Sequence, residues 1–427
     1  MSKKLLISFF ICNLFLSLST QAKNREKIEN YKIKLTADER IRYYYRRNLL
    51  DMENSSGSNS SYMQFRTRLG AKLKFTPRVK AEFRLINENK SYFYPSNKYE
   101  VDEAVFDKFY LLWERIVETP LTLKIGRQDI WFGEGFVIAE GTPGDGPRTI
   151  YFNALRATLD YSDNKFDIFL IRQDKKDQFI KINNQDTNLN NNKTKPNVEA
   201  AGLYFTNNSF KNHQIETYYL YKREFSTVVE SEINTIGLRF SGNLSPRLGY
   251  GTESAFQIGK TGSEDKQALG LTAHLTYSFL AKFNPSLKLE YTYLSGDNPN
   301  TAKDEGWNPV FSQWPKWSLL YTYTLNNENG MAYWTNMHQW RMVNTLNFTD
   351  KQKLDLVYSY LRADDNNLGA KFGEGKERGH LFQTIYNVVF NQRVSGRVKA
   401  EYFKPGNYYS ASADPGFLVQ CQLIFKY

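Results

Sequence analysis

Tyr62-Met-Gln-Phe-Arg-Thr-Arg-Leu-Gly-Ala-Lys-Leu-Lys-Phe75 is the stretch on which the fold class turns. Its odd positions carry Met63, Phe65, Thr67, Leu69, Ala71, Leu73 and Phe75. Its even positions include Gln64, Arg66, Arg68, Lys72 and Lys74. A period of two is the period of a strand, because successive side chains leave opposite faces. One face of this strand is apolar and the other strongly cationic. After a Thr76-Pro77 turn the pattern resumes, with Val79, Ala81, Phe83 and Leu85 opposing Arg78, Lys80, Glu82 and Arg84.

The same alternation recurs along the chain, at 236–241, 269–277, 287–293 and 397–402. A soluble sandwich also alternates, but three features point elsewhere. The strands are long, often ten residues or more, where globular strands average about five or six. The alternation holds over nearly the whole chain. Short turns (76–77, 162–164, 349–351) trade places with long polar stretches (48–61, 87–102, 174–197, 363–378). This is the pattern of an all-β, transmembrane antiparallel β-barrel with short periplasmic turns and longer outer loops. Closing the barrel pairs every strand edge, as a sheet inside lipid must. The last residues, with Val419, Cys421, Leu423, Phe425 and Tyr427 on one parity, resemble the aromatic-ended strand recognised by outer-membrane assembly machinery.

Composition agrees. The negative mean hydropathy excludes a helical membrane protein, and 41% apolar residues exclude wholesale disorder. Residues 1–22 read as a secretory signal: Lys3 and Lys4, then an apolar run from Leu5 to Leu18, then Thr20-Gln21-Ala22 as a cleavage site. Cleavage leaves a barrel of residues 23–427, lowers the formal charge from +11 to +9, and removes Cys12, so that Cys421 stands alone. Counting strands inward from both ends places 286–294 as a rising strand and 337–348 as a falling one. Residues 295–336 then form one outer excursion, with Trp317–Tyr323 as a short helix or loop segment inside it. The count is eighteen strands, with sixteen as the fallback.

If the apolar parity faces lipid, the other lines the lumen. About twenty inward positions are then Lys or Arg and about eight Asp or Glu, a net positive lumen. Arg66, Arg68, Arg84, Arg156, Arg239, Arg341 and Arg397 fall on this parity, as do Lys108, Lys124 and Lys399. Guanidinium groups bind carboxylates bidentately and keep their charge, so such a lumen attracts anions. The bland alternative for any one arginine is a wall brace paired to Glu82, Glu253, Glu290 or Glu401. Nucleic acid, the other usual partner of a chain with pI 9.2, is not expected, because the charges do not cluster on one exposed face.

No catalytic constellation stands out. His213, His274, His338 and His380 fall in no metal-protease or lipase context. Gly141-Thr-Pro-Gly-Asp-Gly146 lacks the Lys-Ser/Thr of a phosphate loop. No cofactor is expected. Asp297 and Asp304, in an oxygen-rich stretch, are candidates for Ca²⁺, with a solvated turn as the alternative.

Lys124-Ile-Gly-Arg-Gln-Asp129, Phe132-Gly-Glu-Gly-Phe136 and Asn153-Ala-Leu-Arg-Ala157 resemble the bacterial alginate-export outer-membrane family. So do Gly306-Trp-Asn-Pro-Val-Phe-Ser-Gln-Trp-Pro-Lys-Trp317, Arg378-Gly-His-Leu-Phe382, 396–403 and Pro405-Gly-Asn-Tyr-Tyr409. The resemblance implies a monomeric eighteen-stranded barrel with an Arg-rich constriction that passes a uronic-acid polymer. It places Arg127 in that constriction, with Asp129 nearby and Arg156 on the next strand. Arg127 shares the lipid-facing parity of Leu121, Leu123 and Ile125, so a bulge at Gly126 is needed to turn it inward. The expected function is an outer-membrane channel for an anionic polysaccharide or small anion. The alternatives are a general or sugar-type porin, and a non-conducting barrel enzyme or adhesin, which a lumen plugged by 127–150 or 295–336 would favour.

Overall fold

Alternation on this scale gives one closed sheet. In the computed structural model, eighteen strands of 8 to 16 residues each pair with both neighbours. They are β1 (Ile33–Arg47), β2 (Ser60–Lys74), β3 (Val79–Tyr94), β4 (Lys98–Trp113), β5 (Leu121–Gln128), β6 (Phe152–Tyr161), β7 (Asn164–Gln173), β8 (Asn197–Asn207) and β9 (His213–Phe225). Then follow β10 (Ser231–Ser245), β11 (Leu248–Thr261), β12 (Glu264–Ser278), β13 (Ser286–Leu294), β14 (Met337–Thr349), β15 (Gln352–Arg362), β16 (Glu377–Val389), β17 (Val394–Pro405) and β18 (Gly416–Lys426). The structure describes residues 32–50, 52–54, 59–141, 150–175, 196–313, 317–366 and 372–427. The expected signal segment 1–22 and most of the Asn-rich run 183–197 lie outside them.

Closure comes from β1 pairing with β18, Tyr43 opposite Cys421 and Arg40 opposite Ile424, while β1 also pairs with β2. Every main pairing is antiparallel, as short connections between sequential strands require. The two parities see different surroundings. Ile168, Leu203, Ile236 and Leu289 are each 52% exposed on the outer surface, forming an apolar belt. On the opposite parity Tyr62, Gln64, Arg66 and Arg68 are buried, and so are Thr235, Arg239 and Gln257. Among the described residues no helix is long and apolar enough to cross a membrane; the strands do the crossing.

One expected loop is not there. Residues 87–102 run mostly as strand, β3 continuing to Tyr94 and β4 starting at Lys98. The polar run Asn87-Glu-Asn-Lys90 reads as a loop only if strands must be half apolar. Here Glu88 is fully buried against Arg40 on the inner face. A bulge at Asp107, where the β3–β4 register shifts, brings Asp107 beside Lys108 and opposite Arg84.

Two connections fold inward and hold the core. The first, between β5 and β6, carries a two-stranded ribbon of 130–131 with 139–140. The second, 295–336, contains the short helix α1 (Leu319–Thr324), capped by Ser318, whose Oγ accepts from the Tyr321 amide. Both pack against the inner face, and Ile138 bridges to Phe311 between them. The buried cluster holds Phe132, Phe136, Trp307, Phe311, Leu320 and Trp334 from these connections with Phe169, Tyr204 and Phe403 from the wall. Glu401 of β17 anchors α1: its carboxylate accepts from Ser318 Oγ at 2.5 Å and the Leu320 amide at 2.7 Å. Gln383 Nε2 donates to it at 3.0 Å, and Lys399 pairs with it.

Candidate functional site

The inner face of β1–β4 concentrates the cations. Arg40 and Arg66 are direct register partners on neighbouring strands, and Arg68 opposes Asp38. Alternation alone puts Arg40, Arg42, Arg66, Arg68 and Arg84 on one side of three adjacent strands. Carboxylates are interleaved with them. Arg66 Nη2 lies 2.8 Å from Asp38, and Arg40 3.4 Å from Glu88. Arg84 grips Asp107 with two bonds of 2.8 and 2.6 Å, and Arg68 Nε approaches the same carboxylate at 3.7 Å. Arg42 donates to Gln422 at 2.6 Å and to the Tyr44 hydroxyl at 3.2 Å. Arg40 and Arg42 were not among the expected site residues. The signal was present in β1, where Ile41, Tyr43 and Tyr45 alternate with them.

Lys108 continues the row, 3.3 Å from Asp129 and 3.7 Å from Glu82. Lys124 places its ammonium 3.9 Å from the Tyr110 ring centroid, and Tyr110 donates to Glu82 at 2.5 Å. Such cation–ring contacts offset part of the cost of burying the charge. Arg127 is fully buried, although Ile125 of its own parity is exposed. Its Nη1 donates to the Phe106 carbonyl at 2.7 Å, its Nε to Asn153 at 3.0 Å, and its guanidinium lies over Tyr151. The expected bulge is absent: pairing runs through Gly126 on both sides without a shift in register. A positive φ of 119° at Gly126 breaks the alternation instead, and a Cβ there would stand 2.3 Å from the Phe109 carbonyl.

The remaining expected residues are dispersed around the barrel. Arg156 pairs with Asp167 at 2.8 Å and lies over the Phe132 ring. Arg239 pairs with Glu216 and approaches Glu134 of the first inward connection at 3.3 Å. Arg341 stands 3.6 Å from Glu290. Arg397 donates to Asn387 at 2.7 Å, and Lys399 pairs with Glu401. Most of these cations thus have a carboxylate neighbour. Asp304 binds Lys266 at 2.9 Å, and Asp297 accepts the Glu305 amide. Among the described residues no group of three or more His, Cys, Asp or Glu could hold a metal ion.

Sequence reasoning missed two acids, the half-exposed Glu134 and the buried Glu328. Glu328 pairs bidentately with Arg378 at 2.7 Å, both side chains buried, beneath Tyr408 and Tyr409. Glu134 meets Arg239, His274 at 3.6 Å and Lys288 at 3.6 Å. Burial works to raise its pKa, but Lys288, His274 and Arg239 together hold it below the ordinary 4.5.

Comparison with known proteins places this geometry. No curated protein matches the chain in sequence. Among solved structures, OccK11 (OpdR) of Pseudomonas aeruginosa is similar with a TM-score of 0.59 at 12% identity, covering 92% of this chain and 95% of that one. OccK5 (OpdH) of the same organism gives 0.57 at 14% identity over 92% and 98%. OccK2 (OpdF) in complex with glucuronate gives 0.57 at 10% identity over 92% and 97%. At these identities the likeness is one of fold. The family model described as alginate export matches residues 31–415, nearly the full length of the barrel. The chain is therefore a bacterial outer-membrane β-barrel channel and belongs to the alginate export family.

Proposed function

We propose that the channel conducts an anionic saccharide, a polyuronate of the alginate type or a smaller uronate, along the cationic inner face of β1–β4. The observation that carries this reading is the grouping of Arg40, Arg42, Arg66, Arg68 and Arg84 on three adjacent strands, with Asp38, Glu88 and Asp107 interleaved. Arg40, Arg42, Arg66 and Arg68 are each at most 5% exposed, so they act on a passing carboxylate through the field they set along the wall, which attracts it without holding it. The family supports the substrate class, and a structural neighbour, OccK2, was crystallised with glucuronate. Arg127 and Arg156 are proposed to contribute to the same path, with Lys108, Lys124 and Asp129 setting its charge balance, Arg397 and Lys399 flanking it on β17, two strands from β1, and Arg239 and Arg341 on more distant wall. The barrel is proposed to act as a monomer without a cofactor. Export of a polymer and uptake of a uronate both fit this chemistry.

A second reading has its own support. The dense pairing of Arg84 with Asp107, Arg156 with Asp167 and Arg239 with Glu216 is what wall braces of a general or sugar-type porin look like. Bilayer conductance separates the two. Anion-selective current that polyuronate or glucuronate blocks supports the first, and it should weaken on Arg66→Glu or Arg68→Glu. Current indifferent to these anions supports the second. A channel that passes no current at all would revive the enzyme or adhesin alternative, since both inward connections pack inside the barrel.

A further inference from the structure

The segment Phe132-Gly-Glu-Gly-Phe136 forms a tight turn against the inner wall, the Gly135 amide donating to the Phe132 carbonyl at 2.9 Å, and its contacts have a chemical pattern. Phe132 stacks on Tyr204 with centroids 4.1 Å apart and planes 9° off parallel, and Tyr204 stacks in turn on Tyr218. Gly133, at φ 52°, lets the backbone approach the wall, since a Cβ there would stand 3.0 Å from Arg239 Cδ and 3.2 Å from the Tyr204 hydroxyl. Two residues on from the ring, the Glu134 carboxylate meets Arg239, His274 and Lys288 on β10, β12 and β13. A flat apolar ring beside a carboxylate is also the shape of a uronosyl unit: a pyranose has an apolar face that stacks on aromatic rings, and a carboxylate projects from it.

The carboxylate is the most exposed of those nearby. Glu134 is 44% exposed, whereas Glu216, Glu253 and Glu290 on the wall are 6%, 4% and 7% exposed. Tyr204 donates to Glu216 and Tyr218 to Glu253, each at 2.9 Å, which fixes those two to the wall. Glu134 alone of the four comes from a connection.

We propose that Phe132–Glu134 is a built-in stand-in for cargo. It occupies a uronate subsite formed by Tyr204, Arg239, His274 and Lys288, and a passing uronate competes with it. This rests on the anionic-saccharide reading above and adds a second contact surface, across the lumen from the β1–β3 arginines. Displacing the segment opens the furrow on the wall; its return expels the sugar, which keeps the subsite weak.

The test is single-channel recording of the full-length barrel in planar bilayers, with glucuronate as the probe and glucose as the neutral control, on the unmodified protein, Phe132→Ala and Glu134→Gln. Removing the competing carboxylate should lower the glucuronate concentration for half-block by about tenfold, the equivalent of one charge-assisted contact. Phe132→Ala should shift it in the same direction, and block by glucose should not change. Glu134→Gln keeps the side-chain shape, so it remains informative should Phe132→Ala fail to fold. If glucuronate blocks the unmodified channel and both variants at the same concentration, the stand-in proposal is overturned and the anionic-saccharide reading survives. If glucuronate does not block the unmodified channel at all, both fall.

Discussion

At the scale of single residues, Arg378 and Glu328 form a bidentate ion pair buried under Tyr408 and Tyr409. Removing one member strands the other charge in the core. Arg378→Met should therefore cost about 3–5 kcal/mol, and pairing it with Glu328→Leu should restore much of that. The midpoint of urea unfolding of the purified barrel measures both. Gly126 makes a backbone prediction: Gly126→Ala forces a Cβ into the Phe109 carbonyl at a φ of 119° and should cost about 1–3 kcal/mol. Glu134 makes one about pH. Lys288, His274 and Arg239 face it, with Glu216, Glu253 and Glu290 behind them, and they hold its pKa below 4.5. A depressed carboxylate pKa gives a contribution fully present above 4.5 and lost as pH falls through the lowered value. The contribution of Glu134 itself to conductance should stay constant above about pH 5 and be lost only in more acid solution. Glu134→Gln should abolish that acid change.

Elements were legible where one period ruled. β2, the first half of β3, β12 and β13 alternate cleanly, and their residues sit on the faces the alternation assigns. The excursion 295–336 and its short helix near 317–323 followed from counting inward from both termini. The pattern failed where polarity had a local cause. Residues 87–102 looked like a loop because the inner face of β3 and β4 is polar, not because the chain leaves the sheet. Arg127 broke parity through a single positive φ, which a two-residue period cannot encode. Arg40 and Arg42 were readable but belong to a strand that begins the fold, where no preceding turn marks it. The inward packing of 130–141 and 295–336 depends on tertiary contacts such as Glu401 with Ser318 and Leu320, 81 to 83 residues apart in sequence. Those contacts leave no local trace. Glu401→Gln should loosen α1 and not the barrel, seen as faster proteolysis within 317–336 with unchanged strand content by circular dichroism.

For the whole molecule, the outer belt is the property that makes it a membrane protein. Leu238, on the outward parity near the middle of β10, faces lipid. Leu238→Arg should destabilise the folded barrel by about 2–4 kcal/mol if it lies at the bilayer midplane. Unfolding measured in lipid vesicles checks this. In the proposed reading the inward parity sets the selectivity, and it is less uniform than a count of basic residues suggests, because acids such as Asp107, Asp167 and Glu216 are set among the arginines. On that proposal selectivity depends on where guanidinium groups crowd, on β1–β3, and not on the total charge. The reversal potential across a salt gradient is the most direct measure of this. The account predicts anion selectivity that polyuronate suppresses and that Arg66→Glu with Arg68→Glu diminishes or inverts. A cation-selective channel, or one whose reversal potential ignores both substitutions, would contradict it.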